Sequence, residues 1–523
     1  MMSVLQINAG RKARHFVAGA SLAFALCARP AIAAAAAPAE SRVPESGPAR
    51  IFPDYSGVAI PPNIAPLNFR IQEQGAAYEV QIRSVSGPPI RIRGRKPEVA
   101  IPARAWRELL RANPGQPLWT DVSVQDSGGA WKPRGSITNA IAREEIDGYL
   151  VYRRLKPLYN TYYQIGIYQR NLASFEERPV LKNQSFDRGC LNCHTFLDRR
   201  ADHFALNIRA DTNGNPMLLV RSNEVIRVNN TAGYLAWHPS GRLLTFSANK
   251  LILFFHTAGE TREVFDRESN LGIYRVDSNV VVTPPAIALP DRNENWPAWD
   301  PDGRFLYYCS AAPMPVDHYR KVRYDLMRIS YDIEGDRWGQ PEALLASEAS
   351  GASAALPRIS PDGRWALFCL FPYGNFPIYQ PGSDLYVMDL QTLRHRRLEI
   401  NSDQADTWHC WSGNSRWIVF SSKRRDGLFA RPYFSYVDQQ GKFHKPFLLP
   451  QQDPSYYDAC LDTFNVPELV REAIRVTPGE LADAILRPRN VRTPPSDARH
   501  DHVGEEFNRT KGGARNPQAA GSD

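Results

Sequence analysis

Short runs in which hydrophobic and polar residues alternate dominate the chain, and they predict β-strands joined by tight turns. In residues 51–150 the alternation is clear in YEVQI (78–82) and in IRIRG (90–94). Because successive side chains of a strand point to opposite faces of its sheet, a period of two indicates strands with one buried face. One helix-like segment, ARAWRELLRAN (103–113), interrupts them. We predict a small β-sandwich-like domain over residues 51–150.

The following residues contain an internal repeat. Each unit has a tight turn, then a basic residue, then an apolar strand, and the units are AWHPSGRLLTFSA (236–248), AWDPDGRFLYYCSA (298–311), RISPDGRWALFCLF (358–371) and CWSGNSRWIVFSS (410–422). A second strand follows each unit, as in SDLYVMDL (383–390). A repeated meander of three or four strands is typical of a propeller blade, because one sheet cannot bury both faces alone and blades therefore stack around a ring. With further strands available from 160–181 and 203–228, we predict a β-propeller of five or six blades over residues 203–475. We predict that residues 151–202, between it and the β-sandwich-like domain, form a separate segment.

The two ends of the chain differ from this pattern. Residues 1–33 combine a basic start with the apolar stretch FVAGASLAFALCA and end in Ala-Ile-Ala, which is the pattern of a cleaved signal peptide. Residues 34–50 form a Pro/Ala/Ser linker, and residues 476–523 are expected to be a largely disordered tail. The apolar stretch is too short to span a bilayer and no later run replaces it. These features predict export to the periplasm, with no transmembrane segment.

Removal of the signal peptide also changes the charge. It takes away four basic residues and no acidic one, so the formal charge falls from +8 to +4. A nearly balanced protein has no electrostatic footprint for nucleic acid, and we predict no nucleic-acid partner.

The segment DRGCLNCHTF (187–196) carries the clearest chemical signal, a Cys-x-x-Cys-His pattern made by Cys190, Cys193 and His194. With 7 Cys and 11 His in 523 residues, chance would produce roughly 0.002 such patterns. The pattern is the signature of c-type haem attachment. We predict that Cys190 and Cys193 lie on one helical turn, so that their thiols can bond to the two haem vinyl groups and His194 can bind the iron. We predict one covalent haem c, with His194 as its proximal ligand.

A zinc site and a redox dithiol are the alternatives. Structural zinc needs four ligands, and the sequence has no second Cys-x-x-Cys and no His-x-x-x-His. A thioredoxin-type dithiol opens a helix after a buried strand, which the pattern here does not indicate. The other mature cysteines are predicted to be buried free thiols, and they are Cys309, Cys369, Cys410 and Cys460.

The second axial ligand separates electron transfer, which suits a closed iron, from ligand binding or catalysis, which needs an open face. We nominate His256 in FFHTAGE as the distal ligand, because aromatic neighbours suit a haem edge; the alternative is a loop histidine held by hydrogen bonds. Met314 and His318 lie in an equivalent loop of the next unit. Met217 begins an apolar run, which favours a position in the core. His238 and His409 begin repeat units and are expected to pack inside the ring.

The W-x-P-D-G-R repeats, with their downstream (L/I)Y-x-x-D strands, resemble the TolB-like β-propeller family. Together with PPNIAPLNF (61–69), REEIDGYLVYR (143–153) and CLNCH (190–194), they are similar to a branch of exported bacterial proteins that bear one haem. The resemblance covers about residues 54–467 and implies a propeller with haem c on Cys190 and Cys193 and with His194 as proximal ligand. It implies no substrate. The turn at 412–415, Ser-Gly-Asn-Ser, departs from the repeated pattern.

Three functions are consistent with these features. The first is a periplasmic monohaem cytochrome that transfers one electron and uses the propeller to dock a redox partner protein. The second is a haem oxidoreductase with an open axial position. The third is a non-enzymatic haem sensor or scaffold. One Cys-x-x-Cys-His segment implies one iron, which stores one electron, so multi-electron chemistry would need a partner.

Overall fold

Strands are the predominant secondary structure, as the alternating pattern predicts. The computed structural model describes residues 47–156, 164–210, 213–254 and 263–495. The predicted signal peptide, His256 and the end of the predicted tail therefore lie outside the described residues. Among the described residues, no helix is both long and apolar enough to cross a bilayer.

Nine strands and one helix form the first part of the described chain: β1 (Ile51–Phe52), β2 (Ala59–Ile60), β3 (Phe69–Ile71), β4 (Ala77–Arg83), β5 (Ile90–Gly94), β6 (Glu98–Val99), α1 (Ala103–Arg111), β7 (Pro117–Gln125), β8 (Trp131–Pro133) and β9 (Ile137–Ile141). One sheet has the order β2-β9-β7-β4-β5, with β8 beside β7, and a second has the order β1-β3-β6. Helix α1 buries Trp106, Leu109 and Leu110 in the apolar core that both sheets share. This core also contains Trp417 and Phe447 from a later sheet, so the N-terminal sheets pack on the propeller.

The remaining strands and helices are β10 (Tyr149–Leu155), β11 (Ile165–Asn171), β12 (Glu177–Lys182), β13 (Cys190–Phe196), β14 (His203–Arg209), β15 (Met217–Arg221), β16 (Glu224–Val228), β17 (Leu235–Trp237), β18 (Leu243–Phe254), β19 (Glu263–Arg275), β20 (Val280–Val282), β21 (Asn293–Trp299), β22 (Phe305–Ala311), β23 (Asp325–Asp332), β24 (Arg337–Trp338), β25 (Glu342–Leu345), α2 (Ser347–Ser350), β26 (Ser353–Ile359), β27 (Trp365–Phe371), β28 (Asp384–Asp389), β29 (His395–Arg397), β30 (Asp406–Trp411), β31 (Trp417–Ser422), β32 (Arg431–Tyr436), β33 (Phe447–Leu448), α3 (Tyr456–Ala459), β34 (Thr463–Val470), α4 (Pro478–Leu486) and β35 (Val491–Arg492). Short 3-10 turns lie at Asn183–Ser185, Leu197–Arg199, Pro285–Ile287, Val316–Lys321 and Pro377–Tyr379.

Six sheets of these strands form a β-propeller. Blade one is β34-β10-β11-β12, and blade two is β13 to β16 with β35 added in parallel at its edge. Blades three to six begin at β17, β21, β26 and β30. The first strands of neighbouring blades contact one another around the whole ring, and β34 contacts both β30 and β13. The structure therefore shows six blades, the upper end of the predicted range.

Blade one differs from the predicted domain boundaries. Residues 151–202 were assigned to a separate haem segment, but β10, β11 and β12 form blade one and β13 is the first strand of blade two. The first strand of blade one, β34, comes from the far end of the chain and pairs with β10. Such a closure removes the free sheet edges that would remain at the two ends of the blade series. No local pattern reveals this long-range pairing, which explains the error.

The predicted tail is also corrected in part. Residues 476–495 are ordered, because helix α4 begins with a capping box between Thr477 and Glu480. The Thr477 side chain accepts a hydrogen bond from the Glu480 amide at 3.3 Å, and the Glu480 carboxylate accepts one from the Thr477 amide at 2.7 Å. Leu481 and Ile485 are fully buried between the first two blades. The prediction of disorder rested on the polar composition of this region and therefore missed the short helix α4.

Candidate functional site: a cavity at the propeller axis

The first strand of most blades carries a β-bulge, and the bulge turns one side chain toward the propeller axis. The pairing register shifts at Leu191/His194 in β13, and equivalent shifts occur in the first strands of blades four, five and six and where β10 pairs with β34. One residue of each blade faces the axis, and from blade one to blade six these residues are Val466, Cys193, Tyr234, Trp296, Leu356 and Trp408. They belong to one apolar cluster. Bulges that re-aim a side chain in this way are frequent beside functional sites.

The backbone at four of these axis-facing positions is strained. Trp296, Leu356, Trp408 and Val466 have φ values of 53°, 57°, 48° and 49°. A left-handed backbone is uncommon for bulky residues and costs roughly 1–3 kcal/mol at each position. The ring of side chains at the axis is therefore held in place by the surrounding blades.

The Cys-x-x-Cys-His segment lies in this ring. Cys190, Cys193 and His194 are all on strand β13. The prediction that they share a helical turn is wrong, because β13 pairs with β14 as an innermost propeller strand. The bulge at residues 192–193 interrupts the regular alternation of side chains in β13, and Cys193 lines the axial cavity described below.

His194 is buried without a hydrogen-bond partner. The residue is 2% exposed, and neither its Nδ1 nor its Nε2 has a partner among the described residues. Burial lowers the pKa of His194 to about 3, and the nearby cations Arg153 and Arg358 act in the same direction. The Val151 carbonyl has a smaller, opposite effect and raises the pKa of His194, but its position does not meet the geometry of a hydrogen bond. His194 is therefore neutral at physiological pH, and an imidazole in this state can ligate a metal.

Two cavities meet at Cys193. The axial cavity, about 340 Å³ including the space open to solvent, is lined by His194, Arg358 and the six axis-facing residues. The large cavity, about 730 Å³ on the same measure, is lined by Cys190, Cys193, Arg153 and Arg209 among others. Cys193, Tyr234 and Trp408 line both cavities. A group that touches both thiols and His194 has to extend across this shared wall.

The thiol of Cys193 is not an activated nucleophile. Burial raises its pKa to about 11, although Arg153, Arg209 and Arg358 lower it. Reactive dithiols have a depressed pKa and are accessible to solvent, so this environment does not favour the dithiol alternative. Among the described residues, no group of three or more His, Cys, Asp or Glu side chains is placed to hold a metal ion.

Arginines surround the segment on two sides. Arg153 donates to the Leu191 carbonyl at 3.1 Å and to Asn465 Oδ1 at 2.9 Å. Arg358 pairs with Glu468 at 2.6 Å. These contacts hold two guanidinium groups beside the cavities, where they can also donate to an anionic ligand.

The other nominated ligands lie elsewhere. Met217 is fully buried in the core between blades two and three. Met314 packs on the central apolar cluster without lining either cavity, and His318 is exposed in a 3-10 turn. His256 lies outside the described residues, although Leu251 and Val264, on the two strands that flank residues 255–262, line the large cavity.

The remaining histidines and cysteines named above have structural positions. His238 donates from Nε2 to the Gly303 carbonyl at 3.0 Å, its Nδ1 lies 2.8 Å from Ser240 Oγ, and its ring packs against Trp299. His409 contacts the Leu367 carbonyl at 3.0 Å. The described cysteines are all free thiols; Cys309, Cys369 and Cys410 are buried as predicted, whereas Cys460 is only half-buried.

Sequence reasoning missed the aromatic and basic residues that line the cavities, above all Tyr234, Trp408, Arg153 and Arg358. In blades three to six, a constant spacing in the sequence could have identified the axis-facing residues. Each stands seven positions before the left-handed turn residue, which is Gly241, Gly303, Gly363 or Ser415. The turn that departs from the repeat still forms, since Ser415 adopts a left-handed φ of 58°, close to the 70–72° of the three glycines.

A buried carboxyl group on β21, the first strand of blade four, gives a pH prediction. Glu294 on β21 is fully buried; its Oε1 accepts from the Leu289 amide at 3.3 Å, and its Oε2 has no partner among the described residues. Burial raises the pKa of Glu294 to about 8, from 4.5 for the free side chain. Between these values the folded protein keeps a proton that the unfolded chain has lost, so stability falls as pH rises.

We therefore expect Glu294→Gln to reduce the loss of stability between about pH 5 and pH 8 by at least about 1 kcal/mol. The measurement is the free energy of unfolding in urea at both pH values. Glu348→Gln, in an exposed position on α2, is the matched control and should leave the pH dependence unchanged. An unchanged pH dependence in Glu294→Gln would show that Glu294 is ionised in the folded protein.

No profile of a known protein family and no curated protein sequence matches the chain. Solved structures do resemble it, and these neighbours include β-propeller folds. Prolyl oligopeptidase B from Galerina marginata is 10% identical, with a TM-score of 0.34 over 63% of this chain and 42% of that one. Oligogalacturonate lyase from Vibrio parahaemolyticus is 10% identical, with a TM-score of 0.29 over 53% and 85%. A proposed 6-phosphogluconolactonase from Bacteroides uniformis is 10% identical, with a TM-score of 0.32 over 74% and 99%. Similarity at this level concerns the fold and carries no functional conclusion.

Proposed function

We propose that the protein is an exported cytochrome that holds one covalent c-type haem at the propeller axis and exchanges single electrons with a partner protein. Export is proposed from the signal-peptide pattern of residues 1–33, and the haem from the Cys-x-x-Cys-His segment. The likeness of the repeats to the haem-bearing branch of the TolB-like propellers supports the same function.

The observation that carries the proposal is the state of His194. A buried polar atom without a partner costs roughly 1–3 kcal/mol, and both ring nitrogens of His194 are in this position. His409 occupies the equivalent place in blade six, directly after the axis-facing Trp408, yet its Nε2 reaches the Leu367 carbonyl at 3.0 Å. The fold can therefore satisfy a histidine here, and His194 is the one kept available for a ligand.

The side chains around the segment fit a haem in their chemistry. Cys190 and Cys193 would hold it through thioether bonds, and the neutral imidazole of His194 would bind the iron. Arg153, Arg209 and Arg358 would donate to its anionic propionates. A bound haem supplies a one-electron Fe(III)/Fe(II) couple.

The protein controls what surrounds that couple. Tyr234 stacks on Trp296, with ring centroids 3.3 Å apart, and Trp408 meets Trp296 edge to face at 5.3 Å. These rings line the axis with apolar surface, and a low dielectric strengthens every electrostatic effect on the site. The two cavities share Tyr234 and Trp408 as a wall, so we expect both side chains to contact the bound group.

The absorption spectrum of the purified protein tests the proposal in its ferric state, in its ferrous state and in its ferrous state with carbon monoxide. We expect a covalently bound haem with a low-spin spectrum that carbon monoxide does not change, and His256→Ala should make it high-spin. Absence of covalent haem would overturn the proposal. A high-spin spectrum that responds to carbon monoxide would reject electron transfer through a closed iron, and the oxidoreductase or sensor alternatives would replace it.

A further inference from the structure

Arg153 connects strands from both sides of the place where the propeller ring closes. It lies on β10 of blade one, directly opposite Asn465 on β34, and its Nε donates to Asn465 Oδ1 at 2.9 Å. Its Nη1 donates to the Leu191 carbonyl on β13 at 3.1 Å and to Asn192 Oδ1 at 3.4 Å. One guanidinium group therefore ties blade one to the strand of blade two that carries the Cys-x-x-Cys-His segment.

The contacts on β13 fall at its β-bulge. The pairing register of β13 shifts between Leu191 and His194, which leaves Asn192 and Cys193 outside the regular ladder. Residues in a bulge lack the ladder hydrogen bonds that fix the rest of a strand. Arg153 binds the last ladder residue before the bulge and the first residue within it. The conformation of the bulge therefore depends on a side chain from the neighbouring blade.

Only an arginine suits this position. Arg153 is 8% exposed and Asn465 is 4% exposed, and a buried cation is costly unless its donors are hydrogen-bonded. The planar guanidinium holds its donors in a fixed fork, which meets acceptors on two strands at once, whereas the single ammonium group of a lysine does not. The three acceptors are amide and carbonyl oxygens, so they satisfy the donors without neutralising the charge.

The charge of Arg153 acts on the segment. Arg153 lines the large cavity together with Cys190 and Cys193. Among the charged groups it has the largest effect on the pKa values of Cys193 and His194, and it lowers both. A fixed positive charge in a low dielectric favours the less positive form of a neighbouring group. For a bound haem that form is the ferrous one, so the charge should raise the reduction potential.

We propose that Arg153 is a positioning residue of the haem site, which fixes the bulge at residues 192–193 of β13 and raises the reduction potential of the bound haem by its charge. The effect on the potential rests on the proposed function, whereas the fixed bulge is a property of the haem-free protein as well. Arg153 acts through the backbone of β13 and through its charge. Because Asn465 on β34 holds the same guanidinium, closure of the ring and the shape of the haem segment are linked.

Amide hydrogen exchange of the full haem-free protein tests the positioning role. In Arg153→Lys and in Arg153→Met, we expect the amides of Asn192 and Cys193 to exchange at least about tenfold faster than in the wild type, because neither new side chain can bridge both strands. The equivalent bulge of blade six, where the register shifts between Thr407 and His409, is the internal reference and should not change. Wild-type exchange in Arg153→Lys, or equal acceleration at both bulges, would overturn the positioning role.

Arg154→Met is the matched control for these variants. Arg154 follows Arg153 on the same strand, but it pairs with Glu177 and Asp462 instead of with β13. Exchange at residues 192–193 in Arg154→Met should equal that of the wild type. Acceleration there as large as in Arg153→Met would show a general loosening of blade one and would contradict the proposal.

Redox titration of the haem-loaded protein tests the effect of the charge. Arg153→Met should shift the equilibrium at least about tenfold toward Fe(III), which is a fall of about 59 mV for one electron. Arg153→Lys keeps the charge and should shift it less. An unchanged potential in Arg153→Met would overturn this part of the proposal, and Arg153→Gln takes its place if Arg153→Met does not fold. Wild-type protein without covalent haem would reject the proposed function instead, and hydrogen exchange would still decide the positioning role.

Discussion

His194→Leu is expected to stabilise the haem-free protein. In haem-loaded protein the same substitution is expected to abolish the normal haem spectrum. The substitution replaces two buried nitrogens that lack partners with apolar atoms of similar volume. Removing such a penalty should raise the free energy of unfolding by about 1–3 kcal/mol. The measurement is urea unfolding of protein produced without haem-attachment machinery, followed by the absorption spectrum of haem-loaded protein.

His409→Leu is the matched control for this prediction. It should destabilise the haem-free protein by about 1–3 kcal/mol, because it leaves the Leu367 carbonyl buried without its partner at 3.0 Å. The opposite signs for two histidines at equivalent places in the repeat would distinguish a residue reserved for a ligand from one that stabilises the fold. If His194→Leu destabilised the haem-free protein as much as His409→Leu, His194 would stabilise the fold, and the proposal that it is reserved for a ligand would be contradicted.

The Cys190→Ala/Cys193→Ala double variant is expected to lose covalent haem completely. Both thiols line the large cavity, and thioether bonds to both are the proposed attachment. Haem staining after denaturing electrophoresis should fall to background in the double variant. Each single variant should retain some stain through the remaining thioether and should show a shifted ferrous spectrum.

Cys369→Ala serves as the control for the cysteine variants. Cys369 is also a fully buried free thiol, but it lies on β27 in blade five, away from both cavities that Cys193 lines. Its haem stain should equal that of the wild type. Covalent haem in the double variant, or its loss in the control variant, would contradict attachment at residues 190 and 193.

Local pattern was sufficient for the repeated units of the propeller. The turn in each unit needs a left-handed residue, and Gly241, Gly303 and Gly363 supply it with φ values of 70°, 72° and 70°. Period-two alternation then identified the strands that follow. The predicted helix over residues 103–113 is present as α1 for a similar reason, since its buried side chains recur at helical spacing on one face.

Local sequence patterns could not predict contacts between residues that are far apart in the chain. Strand β34 pairs with β10, which lies more than three hundred residues earlier in the chain. No sequence pattern near either strand predicts this pairing. The Cys-x-x-Cys-His spacing suggested a helical turn, but the segment is strand β13, where a bulge reorients Cys193. The axial cavity is lined by residues from all six blades, so no linear motif marks it.

The sequence by itself determined the strand-rich blades, their turns and the Cys-x-x-Cys-His segment, because each depends on residues within a few positions of one another. Only the tertiary structure decided which side chains face the axis, and that the buried His194 has no hydrogen-bond partner among the described residues while His409 has one. The physical reason is that burial and hydrogen-bond satisfaction depend on how six blades close around a common axis. Closure brings together side chains whose positions in the chain are unrelated.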